Sequence, residues 1–309
     1  MSRILVTGGA GMVGRALAQA FAPSEALFTD LARGALPRTH RFERMDVTGS
    51  DPDRIIGQER PEVVVHLASI VTPPPGMTRA EAFAVDVTGT KNVLRACVAH
   101  GVRRLVVTSS GAAYGYHPDN PVPITEDVPC RGNPEFAYAD HKRRVEEMLA
   151  EARQDHPALE QVVLRVGTVL GAGTENQITA LFHRKRLLAI RGSDSPFVFI
   201  WTDDLARIVE RAATTGPAGI FNVAGDGWLT VDDIAHTLAK PVLRLPALGL
   251  KAALALARPL GLSQYGPEQV RFLQYRPVLD NKRLKQDFGF VPQLTSAEVF
   301  DLWEREAGL

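Results

Sequence analysis

Tyr138, Lys142 and Ser110 are the residues of this chain whose types and spacing can move a proton. The apolar and polar pattern predicts a helix over 134–153, and residues four apart share a helix face, so Tyr138 and Lys142 lie side by side. A Lys ammonium beside a phenol favours the phenolate, so we expect Lys142 to lower the Tyr138 pKa from its ordinary value of about 10. The phenol can then take a hydroxyl proton or return one to a carbonyl, with Ser110 hydrogen-bonded to the same substrate oxygen.

A glycine-rich turn near the start of the chain can hold the second reactant. Gly8, Gly11 and Gly14 follow the apolar run 4–6, and an apolar helical pattern continues beyond them. Such a turn lets the backbone approach a pyrophosphate, which then lies at a helix N-terminus. A second strand-like run ends in Asp30, close to where a carboxylate meets the adenosine ribose. The alternative is an ordinary strand–helix turn with Asp30 on the surface.

Neither element is specific alone, because glycine-rich turns and Tyr–Lys pairs on helix surfaces are both common. Their combination indicates hydride transfer between a dinucleotide and an alcohol or carbonyl compound.

Strand and helix patterns alternate along the chain, which predicts a parallel sheet covered on both faces, the doubly wound α/β (Rossmann) architecture. We expect a dinucleotide-binding domain over 1–168, with 197–230 returning to its sheet. A smaller substrate-binding C-terminal portion comprises 169–196 and 231–309. The predicted strands lie at 4–6, 26–29, 63–67, 105–108, 162–166 and 220–223.

The composition of the chain limits the kinds of partner that we expect it to bind. The 309 residues have a formal net charge of zero, which gives no electrostatic case for nucleic acid or an anionic membrane surface. The apolar stretch 245–262 is too interrupted by charges and prolines to cross a bilayer. Cys97 and Cys130 form neither a disulfide framework nor a metal-ligand pattern, and the N-terminus enters a strand without an export signal. We therefore expect a cytoplasmic protein with a small-molecule substrate and no metal.

The sequence resembles the extended short-chain dehydrogenases/reductases, the family of NAD-dependent epimerases and dehydratases, over nearly its whole length. The matching motifs occur in the family's order: Gly8, Gly11 and Gly14, Asp30, Asp46-Val47, His66-Leu67-Ala68, Gly89-Thr90-Lys91-Asn92-Val93-Leu94, the serine motif from Ser109 to Gly115, Tyr138 with Lys142, and the segments 199–206 and 221–224.

This resemblance implies a cofactor, a site and an assembly. The cofactor is NAD, with NADP less favoured because Asp30 would repel a 2′-phosphate. The catalytic residues are Ser110, Tyr138 and Lys142, and the helices over 89–100 and around Tyr138 form a homodimer surface that includes Val93, Ala96, Cys97, Val145 and Leu149. The cofactor contacts are Gly8, Gly11, Met12, Val13, Gly14, Asp30, Asp46, Val47, Leu67, Ala68, Ser69, Thr108, Tyr138 and Lys142. The substrate contacts are Ser110, Gly111, Ala112, Thr168 and Phe197.

Three positions depart from the family pattern. Members that act on nucleotide sugars have an Arg for the diphosphate where this chain has Phe197, and an Asn where it has Thr168. Arg184, Lys185, Arg186 and Arg191 are nearby in sequence and are alternative phosphate partners. Asp86 replaces the Asn that supports the backbone beneath the active site.

Three functions remain open. The leading prediction is an NAD(P)-dependent oxidoreductase acting on a small or apolar alcohol or carbonyl compound, because burying a diphosphate against Phe197 and its apolar neighbours is costly. The second is an NAD-dependent nucleotide-sugar epimerase or dehydratase, and the third is a nucleotide-sensing regulator without turnover.

Overall fold

Short apolar runs form the strands, and amphipathic segments between them form the helices. The computed structural model describes residues 3–174, 176–194, 196–262 and 266–309. The strands are β1 (Ile4–Thr7), β2 (Ala26–Asp30), β3 (Arg41–Arg44), β4 (Val63–His66), β5 (Arg104–Ser110), β6 (Glu160–Val166), β7 (Thr168–Leu170), β8 (Leu187–Ile190), β9 (Phe199–Trp201), β10 (Gly219–Val223) and β11 (Val242–Leu245).

The helices fill most of the connections. They are α1 (Met12–Ala20), α2 (Asp51–Glu59), α3 (Arg79–Phe83), α4 (Thr90–Ala99), α5 (Ala137–Asp155), α6 (Thr179–Phe182), α7 (Thr202–Ala213), α8 (Val231–Thr237), α9 (Ala247–Ala257), α10 (Gln269–Gln274), α11 (Lys282–Gln286) and α12 (Ser296–Ala307). A π-helical segment, Ala84–Gly89, runs directly into α4, and a 3₁₀ turn, Gly111–Tyr114, follows β5.

Within the described residues, seven strands form one parallel sheet in the order β10-β6-β5-β4-β1-β2-β3. The chain reverses direction across the sheet between β1 and β4, and ligands of such folds bind at the carboxyl ends of the strands there. The predicted doubly wound parallel sheet is confirmed, and all six predicted strands are present.

The core has two halves because successive residues of a strand point to opposite faces of the sheet. Val6 and Val65 pack on one face against α1 and α7, whereas Leu5 and Val64 pack on the other against α2, α4 and α5. Burial on both faces explains why these strands are almost wholly apolar.

The sequence did not reveal the edge strand β3. Its residues, Arg41-Phe42-Glu43-Arg44, include three charged side chains and are exposed or partly exposed. A strand paired on one side only does not need an apolar run, so hydrophobic patterning gives no signal for it.

The segment 197–230 is divided between two sheets. β10 pairs with β6 in the main sheet, whereas β9 pairs with β7 in a separate two-stranded sheet. Helix α12 packs on β9, and Phe199 and Phe300 stack at 5.6 Å. The C-terminal helix therefore completes a second core.

Helix α9 lies in the apolar stretch 245–262. Its inner residues Leu250 and Leu254 pack beside α10, while Leu248 and Leu256 are exposed. Over the ranges described above, no helix has both the length and the apolar character needed to span a membrane.

Candidate active site

The glycine turn between β1 and α1 has the geometry of a dinucleotide cradle. Gly8 has a φ of +69°, and a Cβ there would lie 2.6 Å from the Ala68 backbone nitrogen. A Cβ on Gly14 would lie 2.5 Å from the Gly9 carbonyl oxygen. Both positions therefore require glycine, for the turn and for close packing of the helix start. Gly11 occupies the N-cap of α1 and has no side chain to cover the first helical amides.

Asp30 ends β2 directly beside this turn. Its Oδ2 accepts a hydrogen bond from the Ala10 amide at 3.1 Å, and its Oδ1 accepts one from the Leu31 amide at 2.8 Å. Arg33 is directed elsewhere, since its Nη1 donates to the Pro37 and His40 carbonyls at 3.0 and 3.1 Å. Among the hydrogen bonds that the structure describes, none joins the Asp30 carboxylate to the Arg33 guanidinium.

The other predicted cofactor residues lie at the carboxyl ends of adjacent strands. Asp46 and Val47 follow β3, the segment from Leu67 to Ser69 follows β4, and Thr108 lies on β5. With Gly8 to Gly14 after β1 and Asp30 on β2, they form one continuous edge of the sheet. The cradle, the carboxylate and this edge fit a dinucleotide.

Ser110, Tyr138 and Lys142 come together at the same edge. Ser110 ends β5, its Oγ accepts from the Ala112 amide at 3.1 Å, and its side chain lies beside the Tyr138 phenol. Tyr138 lies in the first turn of α5, and Lys142 lies one turn later, with Nζ 5.6 Å from the centre of the Tyr138 ring. Lys142 Nζ also donates to the Thr108 carbonyl at 2.9 Å.

The predicted lowering of the Tyr138 pKa is wrong for this structure. Burial raises the pKa of the Tyr138 phenol, the nearby Asp86 charge raises it further, and the hydrogen bond with Ser110 only partly opposes them. Burial also lowers the pKa of Lys142, against the attraction of Asp86 and Glu146. The phenol in this arrangement is a proton donor.

A buried ion pair anchors α5 behind these residues. Arg165 on β6 donates from Nε and Nη2 to the two carboxylate oxygens of Glu146, both at 3.0 Å. Its Nη1 donates to the Tyr114 hydroxyl at 2.8 Å. Burial is the largest single effect on the Arg165 pKa and lowers it, but the hydrogen bonds and the charge of Glu146 together outweigh burial and raise the pKa above its ordinary value. The pair fixes α5 against β6 and the turn after Ser110.

His66 links the sheet to α4. Its Nδ1 lies 2.7 Å from Thr7 Oγ1 and its Nε2 lies 2.9 Å from Thr90 Oγ1. Burial lowers the pKa of His66 to about 3, and the charge of Lys142 adds to this effect. The ring is therefore a neutral structural group at working pH.

The predicted substrate contacts divide into two groups. Gly111 and Ala112 start the 3₁₀ turn after Ser110, and Thr168 begins β7, partly exposed. Phe197 differs, because it is 4% exposed and packs in the second core between Phe182 and Phe199. Phe197 is therefore apolar because it packs in this core, and its apolar character is no evidence that it faces a substrate.

Sequence reasoning missed Arg276, which lies on the face of Phe197. Its Cζ is 3.6 Å from the centre of the Phe197 ring and 5.2 Å from that of Phe272. Its Nε donates to the Pro196 carbonyl at 3.0 Å. Burial lowers its pKa to about 9, so it remains a cation at neutral pH. Arg184 to Arg186 and Arg191, the expected alternatives, are exposed.

Aromatic rings connect Arg276 to helix α5. Tyr116 packs edge-on against Phe136 at 5.0 Å and against Phe272 at 5.2 Å. Phe136 is the N-cap of α5, two residues before Tyr138. The hydrophobic pattern of the sequence did not predict this cluster, because its members come from three segments that are far apart in the chain.

This chain belongs to the NAD dependent epimerase/dehydratase family, whose model matches residues 4–224. A UDP-glucose 4-epimerase of Azospirillum brasilense is 33% identical over 216 residues, which cover 62% of this chain and 60% of that protein. An uncharacterised protein of Mycobacterium tuberculosis is 26% identical over 300 residues, covering 96% of this chain and 78% of that protein.

Solved structures of similar enzymes share the fold. The UDP-glucose 4-epimerase of Thermotoga maritima, solved with UDP-glucose, gives a TM-score of 0.76 at 21% identity, covering 99% of this chain and 98% of that one. The dTDP-glucose 4,6-dehydratase of Bacillus anthracis, solved with NAD, gives a TM-score of 0.74 at 16% identity, covering 100% and 97%.

Proposed function

We propose that the protein is an NAD-dependent enzyme that oxidises a secondary alcohol or reduces the matching carbonyl compound, using Ser110, Tyr138 and Lys142. The observation that carries the proposal is the meeting of Ser110, Tyr138 and Lys142 at the same sheet edge as the glycine turn and Asp30. When bound, NAD supplies the carrier for the hydride.

The chain's own residues handle the proton. Ser110 Oγ holds the substrate oxygen, and the Tyr138 phenol gives that oxygen a proton in reduction or removes one in oxidation. Lys142 is fixed by its hydrogen bond to the Thr108 carbonyl, and its positive charge favours the phenolate when the proton leaves. Turnover by the wild-type protein with NAD and a suitable substrate tests the proposal.

We predict that NAD binds more tightly than NADP. The Asp30 carboxylate at the turn suits two ribose hydroxyls and repels a 2′-phosphate, and Arg33 is held by the Pro37 and His40 carbonyls. Calorimetric titration with each cofactor measures the preference, which Asp30→Ala should reduce. Equal or tighter binding of NADP by the wild-type protein would overturn this assignment of Asp30.

Two substrate classes have support from specific observations. Arg276 places a buried cation on the face of Phe197 and beside the aromatic cluster, which favours a substrate with an anionic group. The UDP-glucose 4-epimerase relative supports the same class, so we propose a nucleotide sugar first. The cluster of Tyr116, Phe136 and Phe272 favours a small apolar alcohol, which stays the second candidate.

We expect UDP-glucose to raise the melting temperature of the NAD-loaded protein, because a diphosphate bound by the Arg276 guanidinium stabilises the folded state. Arg276→Gln should remove most of this shift. Arg184→Gln, which alters an exposed arginine from the set favoured by the sequence, should leave it unchanged. No shift with UDP-sugars, together with NAD-linked oxidation of apolar secondary alcohols, would favour the second candidate.

A homodimer through α4 and α5 remains part of the proposal, with a corrected surface. Val93, Ala96, Cys97, Val145 and Leu149 are all buried in the monomer's own core and are unavailable. The groove between the helices is instead lined by Leu94, Val98 and Met148, with Lys91 and Arg95 on α4 and Glu151 and Asp155 on α5. A two-fold axis would bring the basic and acidic helices of two copies together.

Light scattering should therefore give twice the 33.6 kDa chain mass at micromolar concentration. Met148→Glu should shift the protein towards the monomer while leaving its circular dichroism unchanged. A wild-type monomer would show that this groove serves another purpose.

Free thiols at Cys97 and Cys130 support our proposal of a reducing, cytoplasmic setting.

A further inference from the structure

Helix α9 is apolar on every side, yet none of its residues is buried. It consists of four Leu, five Ala and one Gly, with Lys251 as its single charged residue. A helix that is apolar all round is ordinarily enclosed in a core. Leu250 and Leu254 pack beside α10, but Leu248 and Leu256 are 81% and 70% exposed. The outer side of α9 is thus open to solvent although its composition suits an apolar contact.

The exposed apolar surface continues before and after the helix. Leu243 on β11 is 41% exposed, and Leu260 and Leu262 after α9 are 71% and 78% exposed. Of the ten large apolar side chains exposed in the described part of the chain, five thus lie between positions 243 and 262. Single exposed apolar residues are normal, whereas a cluster of them marks an interaction surface. We refer to residues 243–262 as the α9 surface.

Positive charge is concentrated in the same part of the fold. β8 pairs with β11, so the segments 183–191 and 240–262 lie together. These two segments contain eight Lys and Arg residues and no Asp or Glu, although the net charge of the whole chain is zero. They are Arg184, Lys185, Arg186, Arg191, Lys240, Arg244, Lys251 and Arg258. The zero net charge of the chain therefore conceals a basic region beside the exposed leucines.

Most of these cations are not neutralised within the described residues. Arg244 forms an ion pair with Asp232, and Arg258 forms one with Glu268. The other cations next to β8 and α9 are exposed or partly exposed and form no ion pair with a described residue: Arg184, Lys185, Arg186, Arg191 and Lys251. The Arg191 amide donates to the Leu245 carbonyl at 3.0 Å, which brings Arg191 to the start of α9.

A second copy of this chain is a poor match for the α9 surface. In a two-fold symmetric contact the same patch is used by both copies, so the cations of one copy would face those of the other. Like charges brought together in this way repel. An anionic phospholipid surface suits both features, because its interface takes up leucine side chains while its headgroups attract Lys and Arg.

We propose that the α9 surface docks on an anionic phospholipid bilayer. Its exposed leucines enter the interface, and Lys251 and Arg191 contact the headgroups. Residues 184–186, which precede β8, add attraction within the range that salt screening allows. The helix lies on the bilayer and does not cross it, since its inner side is occupied by α10. This docking is independent of the proposed catalytic activity.

Sedimentation of the purified full chain with lipid vesicles tests the proposal. The vesicles contain phosphatidylcholine alone or phosphatidylcholine with about one third phosphatidylserine. The protein should pellet with the anionic vesicles and much less with the neutral ones. Added salt should release it, because screening weakens the attraction to the headgroups. No pelleting, equal pelleting with both vesicles, or binding that salt leaves unchanged would each overturn the proposal.

Leu256→Glu should weaken binding to the anionic vesicles about tenfold or more, because it removes an apolar side chain that would be buried in the interface. The matched control is Val291→Glu, which places the same charge on a residue that is 66% exposed and lies outside the α9 surface. It should bind as the wild type does. Both side chains are exposed, so circular dichroism should be unchanged in both variants. Equal binding by the two variants would contradict the docking of α9.

The basic segment is tested by replacing Arg184, Lys185 and Arg186 together with Gln. This change should weaken binding to the anionic vesicles about tenfold or more. A control with the same net charge replaces three exposed cations elsewhere, Arg38, Arg60 and Lys282, with Gln and should bind more tightly than the first variant. Equal losses would show that only the net charge of the protein matters, which would overturn the proposed orientation on the bilayer.

Light scattering decides whether a second copy covers the α9 surface instead. Leu256→Glu should leave the wild-type mass unchanged, because the proposed dimer uses α4 and α5. If Leu256→Glu, but not Val291→Glu, reduced the mass of a wild-type oligomer, the α9 surface would be a contact between copies of the chain, and the proposal would be wrong.

Discussion

Tyr138→Phe is expected to abolish turnover while leaving NAD binding intact. The phenol lies beside Ser110, whereas the glycine turn and Asp30 lie on other strands and would hold most of the nucleotide. Loss of a general acid or base costs about a hundredfold in rate or more. Initial rates on the substrate identified by melting shifts, with NAD titrated by calorimetry, measure both effects.

The matched control is Tyr275→Phe, which removes a hydroxyl at the C-cap of α10, outside the Ser110–Tyr138–Lys142 set. It should keep near-normal rates. Lys142→Ala should reduce both rate and NAD affinity, since the resemblance gives this Lys a ribose contact. Near-normal turnover by Tyr138→Phe would show that another group moves the proton. If the wild-type protein binds NAD but turns over neither UDP-sugars nor apolar secondary alcohols, a nucleotide-sensing regulator becomes the favoured function.

Arg165→Met is expected to cause the largest loss of stability, about 3–5 kcal/mol. Both oxygens of the buried Glu146 carboxylate accept from this guanidinium, so its removal strands a charge in the core. The same change withdraws the hydrogen bond to the Tyr114 hydroxyl behind the Ser110 turn. Denaturant unfolding measures the loss.

Two comparisons show whether the unpaired Glu146 charge causes the loss of stability. Adding Glu146→Gln to Arg165→Met removes that charge and should restore part of the stability. Arg3→Met breaks an exposed ion pair with Glu62, which solvent screens, and should leave the stability almost unchanged. If Arg165→Met were as mild as Arg3→Met, the buried pair would have no special role in holding α5.

Most of the strands that carry the proposed nucleotide site could be predicted from the sequence, because buried parallel strands need continuous apolar runs. Ile4 to Val6 and Val63 to Val65 are such runs, and their order along the chain gave the sheet. The edge strand β3 could not be predicted, because its charged residues meet solvent. The helix carrying Tyr138 was predicted three residues too early, since its N-cap Phe136 has no side-chain hydrogen bond to mark the start.

The substrate side was less predictable because it depends on contacts between distant segments. Phe197 resembled a pocket residue in sequence, but the second core built by α12 buries it. Arg276 reaches the same ring from a loop 79 positions later, a proximity that only the folded chain reveals. The pKa of Tyr138 was misjudged for a related reason, since spacing on a helix shows a neighbouring Lys but not how far the surrounding residues desolvate the phenol.

A crystal structure with NAD tests the central claim most directly, because that claim joins two regions of the chain in one site. We predict the diphosphate at the amides that start α1, the adenosine ribose on Asp30, and the nicotinamide beside Tyr138 and Ser110. A dinucleotide bound away from the glycine turn, or one whose nicotinamide lies far from Tyr138, would contradict the proposed function.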